Sequence, residues 1–394
     1  MTIFIKLYLL LNLSLVAFNI VFLLVNRRKR LTAYKINKSF AKEIRQALSE
    51  SMNDHGDFPL SFAASLREHL PVTRNMLTLQ QVIEADEEAR QRFQPYIWEQ
   101  IDHYAKKRDE YERAYYTYIL STFDYSRSKP ADSDIVKLLA FLNSNSLYTF
   151  SNTMMALYAI GDIPALLRAV EKTDERPEFY HKKLLVDGLL TAKLEHAEFA
   201  SQLQKNFAGY TPYTQNCLID YFRLNGSDAV SLCLSLMRDP KTDSEVRYSA
   251  MRYFAKHPDP EAKRLFMEIL ADEDAAWLEQ MLSIQALVKY GDPKVRMAIE
   301  KKVTSRNWYV RVNALQFMHR NGLRREDVLN ILYLRDRYTS EYLLYLYRED
   351  EEMTRYIIDT IHLLNVQAEA VQESGNIEAI SAPPQLLKVG DENI

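Results

Sequence analysis

Apolar residues recur three and four apart along most of this chain, and the two-residue alternation of a half-covered strand is nearly absent, so the pattern predicts helices throughout. Early helices are predicted over Phe40 to Met52 and Leu79 to Arg92. A long one follows from Tyr96 to Asp124, with Ile97, Ile101, Tyr104 and Arg108, then Tyr111, Tyr115, Tyr118, Ile119 and Thr122 on one stripe facing a core. Asp54-His-Gly-Asp-Phe-Pro59 breaks the pattern, and Ser126-Arg-Ser-Lys-Pro130-Ala-Asp-Ser-Asp134 ends the region and caps the next helix. Further on, Ala262 to Ala271 presents Leu265, Phe266, Ile269 and Leu270 on one side. Val328 to Leu334, Glu341 to Tyr347 and Glu351 to Leu364 then close the helical part, and Gln367 to Ile394 turns polar, the composition of a disordered tail.

Between Gly226 and Gly322 one helix-pair pattern is written three times. One copy reads Asp243-Ser-Glu-Val246-Arg247-Tyr-Ser-Ala250-Met251 and another Asn307-Trp-Tyr-Val310-Arg311-Val-Asn-Ala314-Leu315; the end of the middle copy is Gln285-Ala286-Leu287-Val288-Lys289-Tyr290-Gly291-Asp292-Pro293. An Asp or Asn at the start satisfies a free backbone N–H. Val246 and Ala250, four apart, share the face pressed on the neighbouring helix, with Ala small enough for close approach. Gly291 and Gly322 are placed to end their helices, and Pro293 bars continuation. Taking Ala156, Gly188, Leu218, Ala250, Ala286 and Ala314 as equivalent gives intervals of 32, 30, 32, 36 and 28 residues, the period of a helical solenoid. Ser283 stands where the middle copy would carry its arginine.

This D-x-x-V-R-x-x-A-L helix with a Gly-Asp-Pro turn resembles the HEAT repeat. The resemblance implies an all-α chain: a right-handed α-solenoid of HEAT-like helical hairpins over 131–365, after a helical region at 31–130 and before a tail at 366–394. Asp243, Val246, Arg247, Ala250, Ala286, Gly291, Val310, Arg311, Ala314 and Gly322 take structural roles in it. Holding partners is what such a solenoid most often does.

Residues 1–30 are of another kind. Leu7 to Val25 is a run of 19 residues without a charge, which at about 1.5 Å per residue spans roughly 28 Å, the thickness of a bilayer core. A cleaved signal peptide carries its charge ahead of the apolar run. Here Lys6 alone precedes and Asn26-Arg27-Arg28-Lys29-Arg30 follows, which places the N-terminus outside and the rest of the chain in the cytoplasm, as a single-pass protein of the cell membrane. Arg27, Arg28, Lys29 and Arg30 are set against anionic lipid, each worth about 1 kcal/mol near the surface. Asn12 and Asn19, seven apart, fall on nearly one face of that helix, where an amide gains by bonding across a helix interface to a second copy or a client.

Charge sharpens the contrast between the two parts. Residues 1–48 hold nine Lys and Arg against one Glu, so the net charge of −3 divides into +8 there and −11 beyond. Two cysteines, Cys217 and Cys233, in 394 residues suit a reducing compartment and no disulfide framework. Nine glycines leave no phosphate loop, dinucleotide fingerprint or Gly-x-Ser-x-Gly elbow. The scattered histidines form no His-x-x-x-His or His-Glu-x-x-His, so no cofactor or metal is implied. The carboxylates Asp272, Asp274 and Asp350-Glu351-Glu352 are those of charged, solvated turns.

Two function classes remain. One is a membrane-tethered cytoplasmic scaffold that binds and positions a protein partner. By analogy with anchored HEAT-like proteins, that partner is an integral-membrane enzyme or complex of envelope-polysaccharide or transport machinery. The other is an enzyme of the HEAT-like DNA glycosylase or phycobilin lyase type, for which Trp277, Trp308 and the patch of Lys301, Lys302, Arg306, Arg311, Arg320, Arg324 and Arg325 come into question. The net −11 and the anchor weigh against nucleic acid, and Trp308 beside Val310 reads as a packing residue.

Overall fold

The structure, a computed structural model, describes residues 38–49, 58–84 and 86–374, with side chains to residue 367. The apolar run Leu7 to Val25, Asn12, Asn19 and the Arg27–Arg30 cluster lie outside the described residues, as do residues 375–394. Among the described residues no helix is long and apolar enough to cross a membrane. They are all helical, with short 3-10 turns and no strand.

The chain divides into two compact units, Met1–Ser227 and Asp228–Ile394. Each is built of helical hairpins in two layers, and the second helices of the hairpins pack on one another in series. In the first unit the second helices of the hairpins are Glu110–Ser121, Leu147–Ile160, Lys182–Thr191 and Pro212–Asn225. In the second they are Ser244–Lys256, Trp277–Leu287, Trp308–Arg320 and Arg337–Leu346, and Glu351–Ser374 closes the stack on Arg325–Tyr333 and Arg337–Leu346. The loop before Asp134 marks no break in packing, since Glu110–Ser121 lies against Leu147–Ile160.

Caps define where the second helices start. Asp109, Asp243, Asn307 and Asp336 each accept a backbone N–H from the first turn. In several of the second helices a long side chain four residues after the residue that precedes the helix donates to nearby oxygens. Gln215 bonds the carbonyl of Tyr210 at 3.0 Å and Gln280 that of Ala275 at 2.9 Å, while Arg247 bonds Asp239 at 2.9 Å and also pairs with Glu279 of the next hairpin at 3.4 Å. Arg311 reaches Asp336 of the next hairpin at 2.5 Å. Three residues beyond, Ala250, Ser283, Ala314 and Leu218 are wholly buried. The far end is tied as well: Tyr253 Oη accepts the Ala229 N–H at 3.0 Å, and Tyr290 Oη accepts from the Asp259 N–H at 2.7 Å and donates to its carbonyl at 2.8 Å, so the start of a first helix is bonded by the end of its second.

Counting from the caps corrects the middle repeat. The helix Trp277–Leu287 starts after Ala276, so Gln280 occupies the arginine's place and Ser283 that of the small residue, with intervals of 33 and 31 to Ala250 and Ala314. Ala286, though buried, is one turn further on. Gly291 does not end this helix in a left-handed conformation, because the helix has already stopped at Leu287. Gly161, Gly226 and Gly322 are the glycines with positive φ among the described residues, Gly322 at 76°.

The helix foreseen over Tyr96 to Asp124 is three: Glu87–Trp98, Ile101–Ala105 and Glu110–Ser121. The breaks reset the helical phase, and with it the stripe. Tyr104 stacks on Tyr116 in the core at 4.4 Å between centroids, their hydroxyls donating to the carbonyls of Leu70 and Ile97, whereas Tyr111 is 82% exposed and Tyr118 is also exposed. At the other end, the closing helix runs to Ser374, past the point where the polar composition begins.

Close approach within the first unit depends on two glycines. A Cβ at Gly188 would lie 2.0 Å from the ring of buried Tyr158, and one at Gly161 would lie 1.8 Å from the carbonyl oxygen of Lys193. The Lys193 N–H bonds Tyr158 O at 3.0 Å, and its ammonium pairs with Asp124 at 2.9 Å, so one loop ties down the loops of the two preceding hairpins.

Substitution tests these constraints. Gly188→Ala should cost about 1–3 kcal/mol by overpacking against Tyr158, whereas Gly209→Ala, with open space around it, should cost nothing measurable. Arg247→Ala and Arg311→Ala should each lose about 1–3 kcal/mol by removing a charged hydrogen-bonding group. Urea unfolding followed by circular dichroism reads all four.

Candidate functional site: an aromatic strip on the second unit

Among the described residues no three His, Cys, Asp or Glu side chains converge as metal ligands would. The carboxylates singled out from sequence stand in turns: Asp272 accepts the Asp274 N–H at 2.9 Å, and Asp350 caps the closing helix through the Met353 N–H at 2.9 Å. Both thiols are buried. Burial pushes Cys217 up to about 12 and Cys233 higher still, the reverse of an activated nucleophile.

What stands out instead is a run of exposed rings at the starts of three successive second helices. Trp277 opens the helix Trp277–Leu287, Trp308 and Tyr309 open Trp308–Arg320, and Tyr338 follows the first residue of Arg337–Leu346. They are exposed by 44%, 38%, 58% and 61%. All four belong to the first turn of their helices, at the rim of the layer, where consecutive repeats line them up.

The rings brace one another across the hairpins. Trp277 stacks on Tyr309 with centroids 5.4 Å apart and planes at 27°. Trp308 meets Tyr338 at 6.2 Å and 66°, and Tyr342 at 5.6 Å and 81°, both edge-on. Tyr342 in turn stacks on Tyr345 at 5.8 Å, and the Arg348 guanidinium lies 4.4 Å over the Tyr345 ring. Amides fill the gaps: Gln285 donates to Asn313 at 2.9 Å and Gln316 to Tyr342 Oη at 2.6 Å. Trp308 is thus a half-exposed wall of the strip, and the core under it is Val310 and Ala314.

Beneath the strip lies the pair of Arg311 and Asp336. The guanidinium is 5.7 Å from the Trp308 ring. Burial favours the neutral Asp336 carboxyl, but the hydrogen bonds of Thr339 and the Arg311 charge outweigh it and hold the group below the usual carboxylate range.

The basic residues contiguous in sequence do not form one patch. Lys301, Lys302 and Arg306 precede the helix Trp308–Arg320, while Arg320, Arg324 and Arg325 follow it, so the 13-residue helix separates the two groups by roughly 20 Å. Arg324 meets Asp327 at 3.5 Å, and Arg325 pairs with Glu352. Sequence reading also missed repeats of the arginine in the first unit. Asp86-Glu-Glu-Ala89-Arg90 and Asp109-Glu-Tyr-Glu112-Arg113 carry the same cap and arginine spacing as Asp243 with Arg247, and that spacing is the signal that finds them.

No family model matches this chain, and no curated protein matches it. Among solved structures, an engineered protein determined by a structural genomics consortium is similar over 84% of this chain and 96% of its own, at 15% identity and a TM-score of 0.28. The functional reading therefore rests on the surface of the chain itself.

The Arg311–Asp336 pair gives a pH test with a defined sign. A carboxyl depressed in the folded state contributes stability that is present above its unfolded value, near 3.9, and lost as pH falls through the folded value. Asp336→Asn should lower the urea midpoint at pH 7 and narrow its difference from the parent below pH 3.

Proposed function

We propose that the chain is a membrane-tethered, right-handed α-solenoid of HEAT-like hairpins that binds and positions a membrane-embedded protein partner, with the aromatic strip as its contact surface. The observation that carries this reading is the strip itself: six aromatic side chains, Trp277, Trp308, Tyr309, Tyr338, Tyr342 and Tyr345, on three neighbouring helices, braced and partly exposed. Tyr and Trp are the residues that dominate protein interfaces, and rings held by their neighbours lose little freedom on binding.

The sequence of residues 1–30 supplies the tether. Holding the solenoid beside the bilayer raises its effective concentration for neighbours in the same membrane without any new contact. Arg27, Arg28, Lys29 and Arg30 add attraction to the anionic lipid surface, and Asn12 and Asn19 offer a polar face for self-association or for a client helix.

A photo-reactive residue at position 309 or 338 should cross-link the partner in intact membranes. The Trp277→Ala/Tyr338→Ala variant should lose co-purified partner while keeping its helical circular dichroism. Undiminished co-purification would overturn the strip as the contact surface. A cysteine introduced in the 375–394 tail should resist an impermeant reagent in intact cells; its labelling would overturn the orientation.

A further inference from the structure

The strip is edged by charges that the described residues leave unpaired, and their sign changes along it. The loop before Trp277 begins Asp272-Glu273-Asp274, all exposed; the Asp272 carboxylate takes the Asp274 N–H at 2.9 Å, and no described cation pairs with any of the three. The next connection, before Trp308 and Tyr309, has the opposite sign. Lys301 and Arg306 are exposed in it and Lys302 half-buried, and none of them pairs with a described carboxylate. The third, before Tyr338, adds the exposed Arg335, because Asp336 is taken by Arg311 and Arg337 by Glu341 at 2.8 Å.

Elsewhere in the second unit charges like these hold hairpins together: Arg247 meets Glu279 at 3.4 Å and Arg296 meets Asp327 at 3.0 Å. Around the strip they stay in solvent, where they add little to the stability of the free chain. Their effect falls on whatever covers the rings. Charges at the rim of an aromatic contact set the direction and the encounter rate of the partner more than its raw affinity. Axes of packed helices lie about 10 Å apart, close to the screening length of physiological salt, so each connection acts on its own stretch of a bound segment. A nucleic acid or an anionic lipid surface drawn to Lys301 and Arg306 would be repelled by residues 272–274 one step away, and a polycation would meet the reverse. A polypeptide with apolar side chains in the middle and opposite charges at its two ends satisfies both.

We propose that the partner segment covering the strip is bipolar, with Lys or Arg at the end over residues 272–274, carboxylates at the end over Lys301, Arg306 and Arg335, and apolar side chains between them on the rings. This rests on the strip as the partner-binding surface and adds the chemistry and the direction of what binds there. Two steps between hairpins, about 20 Å, separate the outer connections. An extended segment crosses that distance in about six residues and a helix in about 13.

The test uses membranes isolated from cells that carry the full chain with a photo-reactive residue at position 309, and reads the yield of cross-linked partner. One variant neutralises the acidic loop as Asp272→Asn/Glu273→Gln/Asp274→Asn, and the other the basic connection as Lys301→Gln/Lys302→Gln/Arg306→Gln, each with its helical circular dichroism unchanged. A bipolar segment requires each variant to lower the yield about fivefold, and added salt to lower the parent's yield more than either variant's. A carbodiimide, which joins an amine to a carboxylate in contact, should couple Lys301 or Lys302 to an Asp or Glu of the partner. It should also couple residues 272–274 to a Lys within about 13 residues of that position. A yield that rises when the carboxylates are neutralised marks a polyanion on the strip and overturns the proposal, as does a yield that neither variant moves. Both results leave the strip standing, since the parent still captures its partner at 309. No capture by the parent removes the strip itself, and the polarity with it.

Discussion

A helix leaves the polar groups at its own start without partners inside the helix, and the way the second helices satisfy them shapes this chain. Several do so with a cap and, four residues later, a side chain long enough to hold the loop before it or the hairpin after it. Arg247, Gln280, Arg311 and Gln215 differ in charge and length, yet each donates to an oxygen of the loop before it or of the next hairpin. Where the donor is an arginine it also reaches a carboxylate of the next hairpin, as Arg247 does Glu279 and Arg311 does Asp336. Local capping and the stacking of repeats are therefore parts of one network.

The aromatic strip follows from that network. Residues one and two places after the cap, such as Trp308 and Tyr309, stand at the rim, where they cover the Arg311–Asp336 pair without being buried by it. Rings placed so regularly can meet across hairpins. The surface that results is stiff, and a stiff aromatic surface binds without first having to order itself.

Helical class and the strong repeats were legible in the sequence because both are periodic: Val246 with Ala250 and Val310 with Ala314 repeat the same spacing after the same kind of cap. The middle repeat was misaligned because its start lacks Asp or Asn. Ala276 caps nothing with its side chain, and Ala286 then looked like the small residue that Ser283 is. The tyrosine stripe failed for a different reason. Periodicity carries phase only while the helix is continuous, and the breaks on either side of Ile101–Ala105 moved Tyr116 inward and Tyr111 outward. The strip itself was half visible, as two tryptophans and a Tyr-rich end. Its coherence depends on residues about thirty apart meeting across hairpins, such as Trp277 with Tyr309 and Trp308 with Tyr338, and no local pattern reports that.

The loop around Lys193 couples hairpins of the first unit along one margin. It is bonded to Tyr158 and Asp124, two hairpins' worth of chain, all at the edge where second helices end. The Lys193 hydrogen bond, helped by Ser126, holds the Asp124 carboxyl down to about 2, so the latch remains charged throughout the physiological range. The opposite margin is tied as well, by Arg176 to the Leu142 carbonyl at 2.6 Å and by the Asp174 carboxylate to the Thr211 N–H at 3.0 Å, so the hairpins of the first unit should turn as one body under load and splay at neither margin.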